Sequence, residues 1–123
     1  MTAWTTDELI RIEEAQELEI APRRRDGSLR KPVPIWVVRA GDDIYVRAAY
    51  GPRTGWHRVA RASGEARIRA GGVERGVTIE DAGDAVNDQV DAAYRTKYRR
   101  FAGIVDSVVD AQARSSTLRL VPR

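Results

Sequence analysis

The sequence has no cysteine and only one histidine among its 123 residues. Without cysteine there can be no disulfide, no thiolate nucleophile and no cysteine-ligated zinc or iron–sulfur cluster. A histidine-based metal site is excluded as well, because one imidazole cannot build it. We expect the single histidine, His57, to be a surface residue, with donation to a phosphate or acid catalysis as the alternatives.

Long apolar runs are also missing. No segment approaches the roughly 20 apolar residues that cross a bilayer. The N-terminal stretch MTAWTTDELI has neither the basic nor the apolar region of a secretion signal. We therefore expect a cytoplasmic protein without a membrane partner. The length and the 42% hydrophobic content predict a single domain over residues 1–123, with one core and at most one site.

Lysine is scarce, since only two of the 21 basic residues are lysines. Arginine offers a planar fork that suits phosphate or carboxylate, so the bias is compatible with an anionic ligand, although genome composition alone can also explain it. The net charge is only +3, and few aromatic residues look exposed. Both features argue against a nucleic-acid partner.

The first half of the chain predicts a helix followed by three strands. Thr5 and Glu8 have the spacing of a capping box, which starts a short helix that covers a sheet. Alternating or continuous apolar residues then predict strands at 18–21, 33–39 and 44–50, with a turn at Asp26-Gly27. Trp56 is assigned to the loop that follows the third strand.

The second half predicts a hairpin, a helical region and a final strand. Gly71-Gly72 suits the turn of a hairpin from Glu65 to Glu80, and pairing Ala70 with Val73 sets Arg69 opposite Glu74. Helical spacing runs from 85 to 101, where Gly103 breaks or bends it, and continues over 104–109. Residues 117–121 alternate as a last strand. The predicted fold is mainly β with flanking helices (α+β): six antiparallel strands in a small closed or half-closed barrel, because closure removes exposed edges.

Two basic clusters are candidates for a ligand site. In a barrel whose two hairpins are neighbours, both clusters would lie at one end and form a rim for a phosphate, with Trp36, Tyr50 or Trp56 as a flat apolar surface. The competing interpretation is that these are solvated arginines in ordinary turns. The clusters consist of Arg23, Arg24, Arg25, Arg30 and Lys31, and of Arg47, Arg53 and Arg58.

Several segments along the chain carry a resemblance to a known family: Thr5–Leu9, RRDG at Arg24–Gly27, PIWVVR at Pro34–Arg39, IYVRA at Ile44–Ala48, Trp56, AYRTKY at Ala93–Tyr98 and TLRLVPR at Thr117–Arg123. Through them the chain resembles, over essentially its whole length, a bacterial family catalogued as domain of unknown function 2255. The family in turn is similar to the FMN-binding split barrels, and in particular to the deazaflavin-dependent nitroreductases.

The resemblance implies a split β-barrel and a cofactor site. The relatives' basic turn, of the type GRKSGxxR, is similar to RRRDGSLR here, which implies that Arg24, Arg25, Gly27 and Arg30 surround a phosphate or acidic tail. A second motif, a strand ending in Ala-Ser before glycines and a tryptophan, is similar to Ala49, Tyr50, Gly51 and Trp56. The ring of FMN or of a deazaflavin coenzyme would then be backed by residues 44–50 and Trp56. Its tail would be neutralised by Arg25, Arg30, Lys31, Arg47 and Arg53.

Two functions from different classes follow. The first is a flavin- or deazaflavin-dependent oxidoreductase that transfers hydride to a small organic substrate, with its catalytic residues unassigned. The second is a non-catalytic ligand-binding or structural barrel, formed as a homodimer across the apolar strand face around Trp36.

Overall fold

A computed structural model describes residues 3–49 and 51–123; Tyr50, one of the candidate site residues, lies outside the described residues. The strands are β1 (Leu18–Pro22), β2 (Val33–Ile35), β3 (Val37–Ala40), β4 (Asp43–Val46), β5 (Glu65–Ala70), β6 (Val73–Asp81) and β7 (Leu118–Pro122). The α-helices are α1 (Thr6–Glu14), α2 (Gly55–Ser63), α3 (Asn87–Lys97), α4 (Ala102–Val109) and α5 (Ala111–Arg114), with a 3-10 turn at Arg99–Phe101.

The strands form one antiparallel sheet in the order β2-β1-β5-β6-β7-β4-β3, which is a nearly closed barrel. The prediction of six strands was wrong, because the segment 33–39 is two strands interrupted at Trp36. β2 pairs with β1 and β3 pairs with β4, so the chain passes from one edge of the sheet to the other at this residue. The two sheet edges are therefore consecutive in the chain, which brings the barrel close to closure.

The hairpin of β5 and β6 has the predicted register. Ala70 pairs with Val73 and Arg69 with Glu74, and both turn glycines have positive φ. The apolar side chains that alternate along these two strands are buried: Ala66, Ile68, Val77 and Ile79. Alternation thus identified both faces of this hairpin, because only one face of each strand contacts the core.

Apolar residues are buried in two clusters on opposite sides of the sheet. The first fills the barrel and includes Leu18, Ile20, Ile44, Leu118 and Leu120. The second lies between the outer face of β3 and β4 and the helices α3 and α4, and consists of Val38, Tyr45, Val90, Tyr94, Tyr98, Val105 and Val108. Since β3 is covered on both faces, its continuous apolar sequence is explained.

Three local predictions have different outcomes. The capping box at the start of α1 is present, with both reciprocal hydrogen bonds between Thr5 and Glu8. The predicted loop around Trp56 was wrong, since Trp56 lies in the first turn of α2. The break in the second helical region precedes Gly103, because α3 already ends at Lys97. The next residue, Tyr98, anchors the chain there through its hydroxyl. This hydroxyl accepts a hydrogen bond from the Val37 N–H at 3.1 Å and donates one to the Gln16 carbonyl at 2.7 Å.

Candidate functional site

A cavity lies between the β1–β2 connection and helix α2, and we call it the arginine cavity. Its volume is about 680 Å³. Four of the predicted site residues from the first basic turn line it, together with Arg58 from α2. The full lining is Arg23, Arg24, Arg25, Gly27, Arg30, Arg58, Val59, Ala62, Ser63 and Glu65. The structure thus brings Arg58 of the second basic cluster to the same cavity as the arginines of the first, whereas Arg47 and Arg53 do not line it.

The turn that carries the arginines is held by its own hydrogen bonds. Gly27 has a φ of 90°, and the Asp26 carboxylate accepts from the Ser28 N–H at 2.9 Å and from the Ser28 hydroxyl at 2.6 Å. These bonds lower the pKa of Asp26, so its charge is fixed within the turn. The Arg24 guanidinium donates a hydrogen bond to the Leu29 carbonyl at 3.1 Å, which further stabilises the turn.

Four arginines at the cavity have no acid partner among residues 3–49 and 51–123. Arg23 is paired with Glu65, whereas Arg24, Arg25, Arg30 and Arg58 form no ion pair with the described residues. Unpaired guanidinium groups that converge on one cavity attract an anion, and each can bind a phosphate or carboxylate in bidentate fashion. The electrostatics of the arginine cavity therefore favour a ligand with a negatively charged tail.

Arg30 and the start of α2 form the most specific feature of this cavity. A Cβ at Gly55 would lie 2.9 Å from Arg30 Nη2, so the absence of a side chain allows the guanidinium to pack against the helix. Arg30 Nη1 is buried without a partner in the described part of the chain, as is Thr54 Oγ1. A cation beside a helix N-terminus is unfavourable alone, and an anion bound between them would offset that repulsion.

A second cavity, of about 360 Å³, is lined in part by residues at the start of α2, and we call it the tryptophan cavity. Thr54 and Trp56 form one wall, and α4 forms another. Trp36 is stacked on Tyr98 with ring centroids 3.9 Å apart, which fixes its orientation. The lining is mostly apolar: Glu17, Val33, Pro34, Ile35, Trp36, Arg47, Ala49, Thr54, Trp56, Ile104, Ser107 and Val108. A flat apolar ring suits such a surface.

Arg47 touches the tryptophan cavity but does not present its charge to it. The guanidinium has no exposed surface and donates to Asp91 at 2.5 Å, to the Val108 carbonyl at 2.8 Å and to Thr117 Oγ1 at 2.8 Å. Its remaining nitrogen donates to the carbonyl and side-chain oxygens of Asn87. The sequence hypothesis placed this charge at a ligand's tail, and the structure instead places it in the core, where it joins α3 to the barrel.

The other predicted site residues are divided between the two cavities and the surface. Ala49 and Trp56 line the tryptophan cavity. Gly51 is close to Gln112 of α5, with a φ of 86°. Lys31 and Arg53 are exposed and line neither cavity. Val59, Ala62 and Ser63 were missed, although Arg58 and Ala62 have the four-residue spacing of one helical face.

His57 is a core residue and not the predicted surface histidine. It is 1% exposed, and its Nε2 donates to the Ser116 carbonyl at 2.8 Å. Burial lowers the pKa of His57 below its usual value of 6.5, so the ring is neutral at physiological pH. It anchors α2 to the segment before β7, away from the arginine cavity.

Within the described ranges, no group of three or more His, Asp or Glu side chains is arranged to hold a metal ion. No helix among those residues is both long and apolar enough to span a bilayer.

Comparison with known proteins identifies the family. The family model for uncharacterised proteins conserved in bacteria, domain of unknown function 2255, matches residues 8–120. The chain belongs to this family. A search of curated proteins found no match.

Several solved structures share the fold of this family member. The haem storage protein HutZ from Vibrio cholerae superposes with a TM-score of 0.66 at 12% identity, over 93% of this chain and 86% of that one. An FAD-binding protein from Mesorhizobium loti gives 0.59 at 15%, over 98% and 91%. An F420 reductase gives 0.54 at 13%, over 93% and 90%. The TM-scores show that these proteins share the barrel fold, and at such low sequence identities the likeness shows nothing beyond the fold.

Proposed function

We propose that this protein binds FMN or a deazaflavin coenzyme and uses it to transfer hydride to a small organic substrate. The observation that carries the proposal is the unpaired Arg30 guanidinium, held over the uncapped start of α2 in a cavity with three further arginines that form no ion pair with the described residues. The F420 reductase and the FAD-binding protein share the fold, and the ligands in their names combine a flat ring with an anionic tail. Such a ligand fits an arginine cavity next to a tryptophan cavity.

The two cavities would divide the ligand between them. Arg25, Arg30 and Arg58 would bind the tail, while Trp36 and Trp56 would contact the ring. Such a bound coenzyme supplies the hydride chemistry itself. The protein's contribution is to orient the ring, to exclude water from it with the apolar wall of α4, and to neutralise the tail.

Cofactor titration tests this proposal. We expect FMN or the deazaflavin coenzyme to bind with a dissociation constant well below about 100 μM, read from quenching of the cofactor's fluorescence. Arg30→Ala or Arg58→Ala should weaken FMN binding by about tenfold or more, because each removes a charge-assisted hydrogen bond to the phosphate. Arg53→Ala is the matched control, since this arginine is exposed and lines neither cavity.

Riboflavin sharpens the test because it has the same ring without the phosphate. The Arg30 and Arg58 variants should leave riboflavin binding unchanged. If FMN and the deazaflavin both fail to bind at about 100 μM, the oxidoreductase proposal is wrong. If they bind but Arg53→Ala weakens binding as strongly as Arg30→Ala, the tail is bound elsewhere.

The lining of the tryptophan cavity also supports the non-catalytic alternative. Among the described residues of this lining, the charged side chains are Glu17 and Arg47, and the Arg47 guanidinium is committed to the core. Ser107 already donates to the Ile104 carbonyl at 2.6 Å. A site with so few groups able to exchange a proton suits binding without turnover. In that case the cofactor would bind, but a reduced cofactor would be oxidised no faster with the protein than without it.

We further propose a homodimer across the surface beside Trp36. Ile104 of α4 is 56% exposed at the mouth of the tryptophan cavity, and a second copy would cover this apolar surface. Ile104→Asp should convert the dimer to a monomer in sedimentation velocity experiments. Ile10→Asp is the control, because Ile10 is also exposed, at 43%, but lies on α1. A sedimenting species of monomer mass in the unmodified protein would contradict the proposal.

A further inference from the structure

Lys97, at the end of α3, lies where two further cavities meet. Their volumes are about 290 and about 410 Å³, and both are also lined by Glu13 of α1 and Arg99 of the 3-10 turn. The other charged side chains at these cavities are Glu14 and Arg100 at the smaller and Arg39 of β3 at the larger. Neither cavity belongs to the cofactor site proposed above.

The amine of Lys97 is half-buried without a counter-ion of its own. Its Nζ donates to the Val37 carbonyl at 2.7 Å and lies 5.2 Å from the centroid of the Tyr98 ring. Glu13, whose charge acts on Lys97, forms its ion pair with Arg39 instead, at 3.4 Å. Burial therefore lowers the pKa of Lys97 to about 8, so that a substantial fraction of the amine is neutral near physiological pH.

We propose that Lys97 is a nucleophilic amine that accepts the acyl group of small acyl phosphates. The neutral Nζ attacks the carbonyl carbon, a bond from nitrogen to carbon forms, and the bond from that carbon to the phosphate oxygen breaks. Phosphate leaves with the electron pair, and the nitrogen gives its extra proton to water. The product is an amide at Lys97, with no change in oxidation state.

The surroundings favour an acyl phosphate over an aldehyde. Arg99 lines both cavities and forms no ion pair with the described residues, so its guanidinium can bind the phosphate of the donor. The amide product is uncharged, which removes the cost of a half-buried cation, and it keeps one N–H for the Val37 carbonyl. A neutral imine from an aldehyde would have no N–H, so the 2.7 Å hydrogen bond to that carbonyl would be lost and the more distant Tyr98 hydroxyl, at 3.1 Å, would be its remaining side-chain donor among the described residues.

Treatment of the whole protein with acetyl phosphate, followed by peptide mass spectrometry, tests the proposal. Lys31 is the internal comparison, because the chain has only two lysines and Lys31 is exposed. Near neutral pH we expect Lys97 to be acetylated at least about tenfold faster than Lys31, because an ordinary lysine has a pKa of about 10.4 and is almost entirely protonated there. The rate at Lys97 should level off above about pH 8.

Two variants separate the reactive amine from the phosphate site. Glu13→Gln should move the plateau of the Lys97 profile to lower pH, because the charge of Glu13 raises the pKa of this lysine, while Glu14→Gln should not. Arg99→Ala should slow acetylation by acetyl phosphate but not by a neutral N-hydroxysuccinimide ester. Acetylation of Lys97 no faster than that of Lys31, or equal slowing with both reagents, overturns the proposal. Its failure leaves the cofactor titration unaffected, since neither cavity is shared.

Discussion

Removing the carboxylate of Asp91 should be among the most damaging single changes in this protein. Asp91 lies 2.5 Å from Arg47, whose side chain is fully buried, and is itself 12% exposed in its side chain. Asp91→Ala leaves the guanidinium in the core with only neutral acceptors. We expect a loss of about 3–5 kcal/mol in the free energy of unfolding, the range for breaking a buried ion pair. Total stability of a domain is about 5–15 kcal/mol, so this loss is large.

The same network predicts that the two residues are strongly coupled. Arg47→Met should cost less than Asp91→Ala, because Asp91 retains Arg114 at 3.6 Å and some contact with water. The double variant Arg47→Met with Asp91→Ala removes both charges, so its cost should fall short of the sum of the two single changes by about 2 kcal/mol.

Urea unfolding followed by circular dichroism measures these effects. With an m-value of about 1–3 kcal/mol/M, Asp91→Ala should lower the midpoint by at least about 1 M. Glu19→Ala is the control, since its ion pair with Arg69 is just as short but exposed, and we expect little change. A midpoint for Asp91→Ala no lower than that of the control would refute the reasoning.

Arg47→Met should also leave FMN affinity unchanged, because the guanidinium faces the core.

Two further predictions concern a titrating group and a turn. Because His57 is buried with a lowered pKa, the unfolded chain takes up a proton there before the native chain does, so stability should fall as pH drops below about 6.5. His57→Gln should reduce that slope in urea midpoints measured at several pH values; parallel slopes for the two proteins would contradict this. Gly71→Ala should lower the melting temperature sharply, because a Cβ there would lie 2.2 Å from the Arg11 carbonyl oxygen. Gly71 also has a φ of 56°, and the backbone strain of an alanine in that conformation alone should cost about 1–3 kcal/mol of stability. Gly72→Ala should be milder than Gly71→Ala, because its Cβ would meet only the end of the flexible Arg11 side chain at 3.4 Å.

Local patterns predicted the elements whose causes are local. The capping box at Thr5 and Glu8 fixed the start of α1, and the glycine pair at 71–72 fixed the register of β5 and β6. Alternation of apolar residues separated the buried from the exposed positions of these strands. The helix α2 was missed because Gly55 and two arginines obscure its apolar face, although Gly64, with a φ of 73°, ends it as a typical helix cap.

The candidate site was only partly predictable for a related reason. The arginine-rich turn from Arg23 to Arg30 could be recognised as a possible anion site, and most of its arginines do line one cavity. The burial of the Arg47 guanidinium could not be predicted, because its partners Asp91 and Thr117 are 44 and 70 residues away in the chain. Nothing in the neighbourhood of IYVRA indicates that this guanidinium is compensated in the core.

The sequence by itself determined an antiparallel barrel with a capped first helix and an arginine-rich turn, because periodicity and turn residues act over short distances along the chain. Its composition alone excluded cysteine chemistry. Only the tertiary structure decided which charges face a ligand. Trp36 carries the chain between the two edges of the sheet, α2 brings Arg58 next to Arg30, and α3 draws Arg47 inside. Those outcomes depend on contacts between segments that are distant in the chain. Such contacts bury Arg47 in the core and leave Arg30 and Arg58 free to bind an anion.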